Sequence, residues 1–275
     1  MPLLGTRLYL GFDASAVTAA ALSEGLGGRR ARGFARVPLG SGALAPTAAG
    51  PNLLLGDEVR AAVRRAASGL DAGRATVVLP DGVARIALLD LPEGADPRDY
   101  VRYRLAASLP WPAAEAVVDV LPARRGQVVG AAVRRSTVAE YEQAVLGAGL
   151  AVERVHLAPL VALEGLMRSG APDALHAVLG DAALILATFR GGLPVGLRSR
   201  RRDPSGAEAS WLRDEAARAA ALAGDGAGSL PLVLSGRDSP RLRRELGGDD
   251  ALRGLRGPGE WPDAVEAAWL GGLVA

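Results

Sequence analysis

The sequence predicts an α/β fold in which two lobes of similar architecture face each other and a small α+β domain is inserted into the first lobe. Three observations support this prediction. The chain opens with three short strands, a helix and a fourth strand. The same order of elements returns after residue 173, although the two halves share little sequence. Between the two series, residues 83–146 alternate strands and helices as a compact unit.

Apolar runs separated by turn residues predict the first lobe. Asp13-Ala14-Ser15 and the glycine-rich residues 25–28 separate the first three runs, which favours a three-stranded meander. Small apolar residues then recur at helical spacing before a run that ends in Pro80-Asp81-Gly82, so a helix leads into a fourth strand. The predicted elements are strands at 8–12, 17–22, 32–38 and 75–79 and a helix at 57–68.

The pattern changes after residue 83 to that of a small α+β unit. Each of its two predicted helices has one apolar face, so both can cover the same small sheet. A strand and a helix then lead back to the first sheet. The predicted strands are 83–91, 116–121, 127–133 and 150–156, and the predicted helices are 96–109, 137–146 and 159–167.

A second strand series predicts the second lobe. Its predicted elements are strands at 175–179, 182–189, 193–198 and 230–234 and a helix at 207–222. We therefore predict three units: a first lobe of residues 1–80 and 150–172, an inserted α+β domain of residues 81–149, and a second lobe of residues 173–275.

The composition excludes several classes of chemistry. The sequence has no Cys and no Lys, which rules out thiol catalysis, disulfides, Schiff bases and the Lys-dependent phosphate loop of many NTPases. The net charge of +2 gives no nucleic-acid footprint, so we expect no nucleic-acid partner. No stretch approaches the roughly 20 apolar residues of a membrane-spanning helix, and the first residues lack a signal-peptide pattern. We expect a cytoplasmic protein that reaches a membrane only through a partner.

Two sets of motifs resemble known proteins. The segment Gly11-Phe12-Asp13-Ala14-Ser15-Ala16-Val17 looks like the first phosphate loop of the actin-like ATPases, in which a strand ends in Asp and a tight turn leads into the next strand. Further segments resemble, in order and spacing, the PilM family of type IV pilus assembly proteins. They are Val77–Gly82, Leu88–Pro92, Leu109–Pro112 and Gly130–Val138. The cytoplasmic part of the type II secretion protein GspL is similar in plan.

The resemblance implies an actin-like (ribonuclease H-like) fold and a scaffold role at the inner face of the cell membrane, without enzymatic activity. The implied partners are the cytoplasmic tail of a PilN-like or GspM-like inner-membrane protein and the ATPase platform of a pilus or secretion system. Such a tail would bind as an extended peptide in a groove of the inserted domain and first lobe. Tyr100 and Trp111 are candidates for its pockets, with core packing as the alternative for each.

The resemblance also implies candidate nucleotide-contacting residues. Asp13 and Ser15 match the first phosphate loop, Gly180 the second phosphate loop, and Gly236 the adenosine-side loop. A site of this kind needs backbone amides and hydroxyls that face the phosphates, and an Asp that holds magnesium through water. The ordinary alternative for Asp13-Ala14-Ser15 is a hairpin turn held by side-chain to backbone hydrogen bonds.

Three departures from the family argue against nucleotide binding. The second loop, residues 178–183, has no hydroxyl side chain, and Asp181 follows Gly180 instead of preceding it. Arg237 stands where a second Gly is expected beside the adenosine. Residues 198–230 leave room for only a loop and one helix where the family carries a subdomain, so the second lobe is reduced. We expect a degenerate ATPase with no cofactor; the alternative is an active actin-like ATPase or kinase that binds ATP with magnesium, with Asp13 organising the metal.

The remaining polar features have ordinary structural explanations. His156 and His176 lack the companion ligands of a metal site, so we predict structural histidines and no metal. The basic run Arg198–Arg202 predicts a solvated loop. Its alternative is a contact with acidic lipid headgroups or an acidic partner.

Overall fold

The computed structural model describes residues 6–25, 28–70, 73–168, 170–202, 208–224, 230–236, 238–246 and 252–254. The strands are β1 Thr6–Asp13, β2 Ala16–Gly25, β3 Gly28–Pro38, β4 Arg74–Leu79, β5 Ala84–Asp90, β6 Ala116–Pro122, β7 Gln127–Arg134, β8 Ala151–Leu157, β9 Ala174–Leu179, β10 Ala183–Arg190, β11 Leu193–Arg201, β12 Leu232–Gly236 and β13 Leu252–Gly254. The helices are α1 Gly56–Ala67, α2 Pro97–Leu105, α3 Arg135–Leu146, α4 Ala158–Arg168, α5 Glu208–Leu222 and α6 Ser239–Glu245.

The first sheet has the strand order β3-β2-β1-β4-β8. Strands β1, β2 and β3 form an antiparallel meander, and β4 and β8 run parallel to β1. Helix α1 covers one face because its small apolar residues recur at helical spacing and pack against Leu8 and Leu10. On the opposite face, Val161 of α4 packs with Tyr9 and Val78. The sheet is therefore covered on both sides.

The inserted domain is an antiparallel sheet of order β5-β7-β6 with one face under α2 and the other against the first lobe. Gly130 lets α2 approach closely, since a Cβ there would lie 2.5 Å from Val101 Cγ2. Alternate residues of β7, Val129 and Val133 among them, join the core of the first lobe instead. Helix α3 packs on β4 and β8, and its Tyr141 ring meets Phe12 edge-on at 5.1 Å. The inserted domain thus shares a core with the first lobe.

The second lobe contains a sheet of order β11-β10-β9-β12-β13. Strand β9 is antiparallel to β10 and parallel to β12, which repeats the arrangement of the first sheet. Leu212 of α5 packs with Leu184 and Leu186 on one face. The alternate residue Phe189 joins the first-lobe core. Apolar packing is therefore continuous from one lobe to the other.

Most predicted elements are present with shifted ends. The predicted helix 96–109 ends earlier, because α2 stops at Leu105 and continues only as a short 3-10 turn over 106–108. The prediction of a solvated loop for Arg198–Arg202 is wrong: β11 runs to Arg201 and pairs with β10. Helix α6 and strand β13 are not among the predicted elements. Residues 255–275 of the predicted second lobe lie outside the described residues. Of the helices that are described, none is long and apolar enough to cross a bilayer.

Candidate functional site

A cleft lies between the lobes at the ends of β1, β4, β9 and β12. Asp13 lines it from the first lobe, Asp81 from the turn that directly follows β4 of that lobe, and Gly180, Asp181 and Gly236 from the second lobe. Three of the four predicted site residues, Asp13, Gly180 and Gly236, therefore meet in one cleft, whereas Ser15 is not among its lining residues. The remaining lining residues are mostly apolar. The cavity volume is about 80 Å³, below the range of about 300–1,000 Å³ typical of small-molecule pockets.

Asp13 and Ser15 form a tight turn between β1 and β2. The Ser15 backbone N–H donates to Asp13 Oδ1 at 2.7 Å, and the Ser15 hydroxyl donates to the same oxygen at 2.6 Å. Arg36 of β3 closes the arrangement: its guanidinium donates to Asp13 Oδ2 at 3.1 Å and to the Ser15 hydroxyl at 3.0 Å. The Asp13 carboxylate, the expected magnesium-organising group, is therefore ion-paired with an arginine.

The second loop is in contact with a carboxyl group from the other lobe. The backbone N–H of Ala183 donates to Asp81 Oδ2 at 2.7 Å, and that of Ala182 approaches Asp81 Oδ1 at 3.4 Å. Gly180 faces the same side chain, and a Cβ at this glycine would lie 1.8 Å from Asp81 Oδ2. Burial raises the pKa of Asp81, and the hydrogen bonds from these backbone amides oppose that rise without cancelling it.

Sequence reasoning missed Asp81, because Pro80-Asp81-Gly82 has the composition of an ordinary turn. The signal that could have found it is indirect. An Asp that directly follows a buried strand and a proline can lie at the end of a sheet. In this fold, the strands of both lobes end at the cleft. The structure places Asp81 at that position, in a 3-10 turn between β4 and β5.

Gly236 ends β12 beside Leu179, with φ of 119°. A Cβ at this position would lie 2.3 Å from the Leu179 carbonyl oxygen, so only glycine fits here. The close approach is between two strands of the same lobe. The predicted obstruction by Arg237 falls outside the described residues.

Arg202 braces the second-lobe side of the cleft. Its side chain is only 3% exposed and forms ion pairs with Glu208 at the start of α5 and with Asp238 before α6. It also donates to the carbonyl oxygen of Gly180. These acidic partners raise the pKa of Arg202 in spite of its burial. Glu208 has a second partner, Arg241.

Two further arginines of the basic run, Arg198 and Arg200, bind one buried carboxylate. Arg198 and Arg200 donate to Glu215 Oε2 at 2.7 and 3.2 Å, and Arg218 donates to its other oxygen. Burial alone would raise the pKa of Glu215, but the three arginines outweigh it and lower the pKa. The run is therefore a charged strand face held by an acidic partner within the same lobe.

No group of three or more His, Asp or Glu side chains in the described part of the chain could hold a metal ion. His176 is buried and packs edge-on against Phe189, with its Nε2 3.2 Å from the Pro172 carbonyl oxygen. Burial lowers the pKa of His176. Burial also lowers the pKa of His156, although Asp119 and Glu164 oppose that change. His176 therefore has structural surroundings.

Strand β6 of the inserted domain and strand β8 of the first sheet are edge strands. Among the described strands, β6 pairs only with β7 and β8 only with β4, so each has an open edge. Val117, on the same face of β6 as Asp119, is 39% exposed. Strand β6 thus combines an open edge with an accessible apolar side chain.

Trp111, one of the two candidate pocket residues, belongs to the core of the inserted domain. It is 7% exposed, packs with Val101 and Leu105, and donates from Nε1 to the Ala48 carbonyl oxygen at 2.8 Å. Tyr100 lies on α2, and the guanidinium carbon of Arg104 lies 6.0 Å from the centroid of the Tyr100 ring.

No protein-family model matches the sequence, and no curated protein matches it. Several solved structures are similar to the chain. The chain is similar to a PilM-PilN type IV pilus biogenesis complex with a TM-score of 0.72 at 21% identity, over 97% of each chain. It is similar to a Bacteroides thetaiotaomicron protein with an actin-like ATPase fold and unknown function (TM-score 0.61, 11% identity, 96% and 95% covered).

A third similar structure is the cytoplasmic domain of EpsL, an inner-membrane component of the Vibrio cholerae type II secretion system. Its TM-score is 0.58 at 13% identity, over 98% of this chain and 94% of that one. At these identities the comparisons show the fold, and they confirm the actin-like fold that the motifs predict. The chain has the actin-like ATPase fold, in the form also seen in PilM and in the cytoplasmic domain of EpsL.

Proposed function

We propose that the chain is a cytoplasmic scaffold of a type IV pilus or type II secretion platform that binds the cytoplasmic tail of a PilN-like or GspM-like inner-membrane protein. The whole-length similarity to a PilM-PilN complex supports this proposal. Through its partner, the scaffold lies at the inner face of the membrane and contacts the ATPase platform of the same machine.

The open edges of β6 and β8 are the observation that carries the proposal. An extended peptide can add to an unpaired strand edge, where backbone hydrogen bonds supply affinity and side-chain pockets supply specificity. Among the described strands, β6 and β8 each have such an edge, and we propose that the two edges line one groove that holds the tail. Val117 offers an apolar contact and Asp119 a charged one. A membrane protein's extended tail, emerging from the bilayer, is suited to both edges.

The cleft between the lobes supports a scaffold that works without hydrolysing ATP. Mg-ATP does not fit the residues present, because Arg36 already pairs with the carboxylate of Asp13. The second-loop amides of Ala182 and Ala183 face Asp81. No step of the proposed function passes through a nucleotide.

A pair of surface variants tests the groove. Val117→Glu places a carboxylate in the groove, and Tyr103→Glu makes the same change on α2, on the opposite face of the inserted sheet, where Tyr103 is 76% exposed. We expect Val117→Glu to weaken binding of a fluorescent PilN-like tail peptide by about tenfold or more, because burying an unpaired charge at an interface is costly. Tyr103→Glu serves as the control. Equal binding by both variants would refute the groove.

A further inference from the structure

Asp81 makes a contact that reaches across the chain and across the cleft. Its carboxyl group lies 102 positions before the Ala183 amide to which it is bonded at 2.7 Å. Asp81 follows β4 of the first sheet, whereas Ala183 begins β10 of the second sheet. The bond therefore joins the two lobes directly, from the part-buried Asp81 carboxyl group to the amide of the buried Ala183.

Two glycines make the contact sterically possible. A Cβ at Gly180 would collide with Asp81. A Cβ at Gly82 would lie 2.9 Å from the Cβ of Ala182. Any side chain at either position would push the loops apart. The segments Pro80–Gly82 and Gly180–Ala182 are thus shaped to interlock, which an incidental contact between side chains would not require.

We propose that the Asp81 carboxyl group is a built-in latch that holds the two lobes closed on each other in place of a bound phosphate group. A ligand bound between two domains commonly holds them closed on each other. Here the chain supplies the linking acceptor itself, so closure is a constant property of the protein. This inference rests on the proposed function, in which the scaffold works without nucleotide, and it deepens it by naming the residue responsible.

The absence of Cys from the sequence allows the separation of the lobes to be measured directly. Cysteines replace Leu54 in the first lobe and Leu222 in the second, which are 53% and 74% exposed, and both carry spin labels. Pulsed electron–electron double resonance then gives the distribution of distances between the labels. The latch is removed by Asp81→Ala in the full chain. The control is Asp173→Ala, which removes a carboxylate bonded at 2.7 Å to the Gly191 amide within one lobe.

We expect one narrow distance distribution for the parent protein and for Asp173→Ala, and a broader distribution shifted to longer distances for Asp81→Ala. Hydrogen exchange should agree: the Ala183 amide should exchange about tenfold faster in Asp81→Ala, since losing this part-buried hydrogen bond should cost roughly 1.4 kcal/mol. Asp81→Asn keeps the volume and one acceptor oxygen, so it should give an intermediate result. It also provides the test if the alanine variant does not fold.

The outcomes separate the latch from the proposed function. An unchanged distance distribution and unchanged Ala183 exchange in both Asp81 variants would overturn the latch while leaving the scaffold role intact. A parent protein with a broad distribution that narrows only on addition of Mg-ATP would overturn both, since closure would then depend on nucleotide. A distribution that broadens with Asp81→Ala, and is insensitive to Mg-ATP in the parent protein, supports the latch.

Discussion

Replacing Arg202 by leucine should destabilise the second lobe strongly. Arg202 is nearly inaccessible, and its partner Glu208 is 1% exposed. Removing the guanidinium leaves the Glu208 carboxylate buried with one remaining partner, Arg241, and leaves the Gly180 carbonyl oxygen without this donor. Breaking a buried ion pair from one side costs about 3–5 kcal/mol.

The lower end of that range applies to Arg202→Leu. Arg241 continues to neutralise Glu208, and the other acidic partner, Asp238, has a side chain that is 34% exposed and can be hydrated. We therefore expect the free energy of unfolding to fall by about 3 kcal/mol. Urea denaturation followed by circular dichroism measures the change, with the slope of the transition checked for two-state behaviour.

A matched surface variant provides the control. Arg102 pairs with Asp99 one helical turn away on α2, and both side chains are exposed. Exposed pairs of this kind contribute up to about 0.5 kcal/mol, so Arg102→Leu should leave the urea midpoint almost unchanged. The reasoning about burial would be refuted if Arg202→Leu cost less than about 1 kcal/mol, or no more than Arg102→Leu.

Three further predictions concern packing, a tether between domains and pH. Gly130→Ala should lower the free energy of unfolding by about 1–3 kcal/mol in urea denaturation, because the new Cβ collides with Val101; an unchanged midpoint would contradict the packing of α2. Trp111→Phe removes the hydrogen bond to the Ala48 carbonyl oxygen and should cost about 1–3 kcal/mol, and a thermal midpoint equal to that of the parent protein would argue against the tether. Burial lowers the pKa of His176, so below its unfolded value of 6.5 the unfolded chain binds the proton more readily than the folded chain. Stability should therefore fall as pH drops from 7.5 to 5.5, and His176→Leu should reduce that fall; an identical pH dependence in both proteins would show that the histidine is not buried as described.

The local elements could be predicted because their causes are local. Alternation and helical spacing of apolar residues, such as Val59, Val63 and Ala66 on α1, follow from which face of an element is buried. The sequence predicts this strand of the second lobe only as far as Arg198 and a loop over Arg198–Arg202, whereas β11 continues to Arg201. Charged residues predict exposure, and nothing near them in sequence indicates that Glu215, on a helix, is their partner.

The candidate site could be predicted only in part. Asp13, Gly180 and Gly236 belong to motifs with a known place in the fold, and they do line one cleft; their roles toward a nucleotide stay predictions. The partners of these residues could not be foreseen. Arg36 and Asp81 reach them through tertiary contacts, and such contacts depend on how the lobes pack and not on any periodicity along the chain.

Binding of a PilN-like tail, measured with and without Mg-ATP, tests the central claim most directly. A synthetic PilN-like tail peptide carries a fluorescent label, and anisotropy gives its dissociation constant for the full chain. The account predicts saturable binding with the same dissociation constant in both conditions, because the groove lies outside the cleft and the lobes are closed without nucleotide. Binding that appears only when Mg-ATP is present, or no binding in either condition, would contradict it.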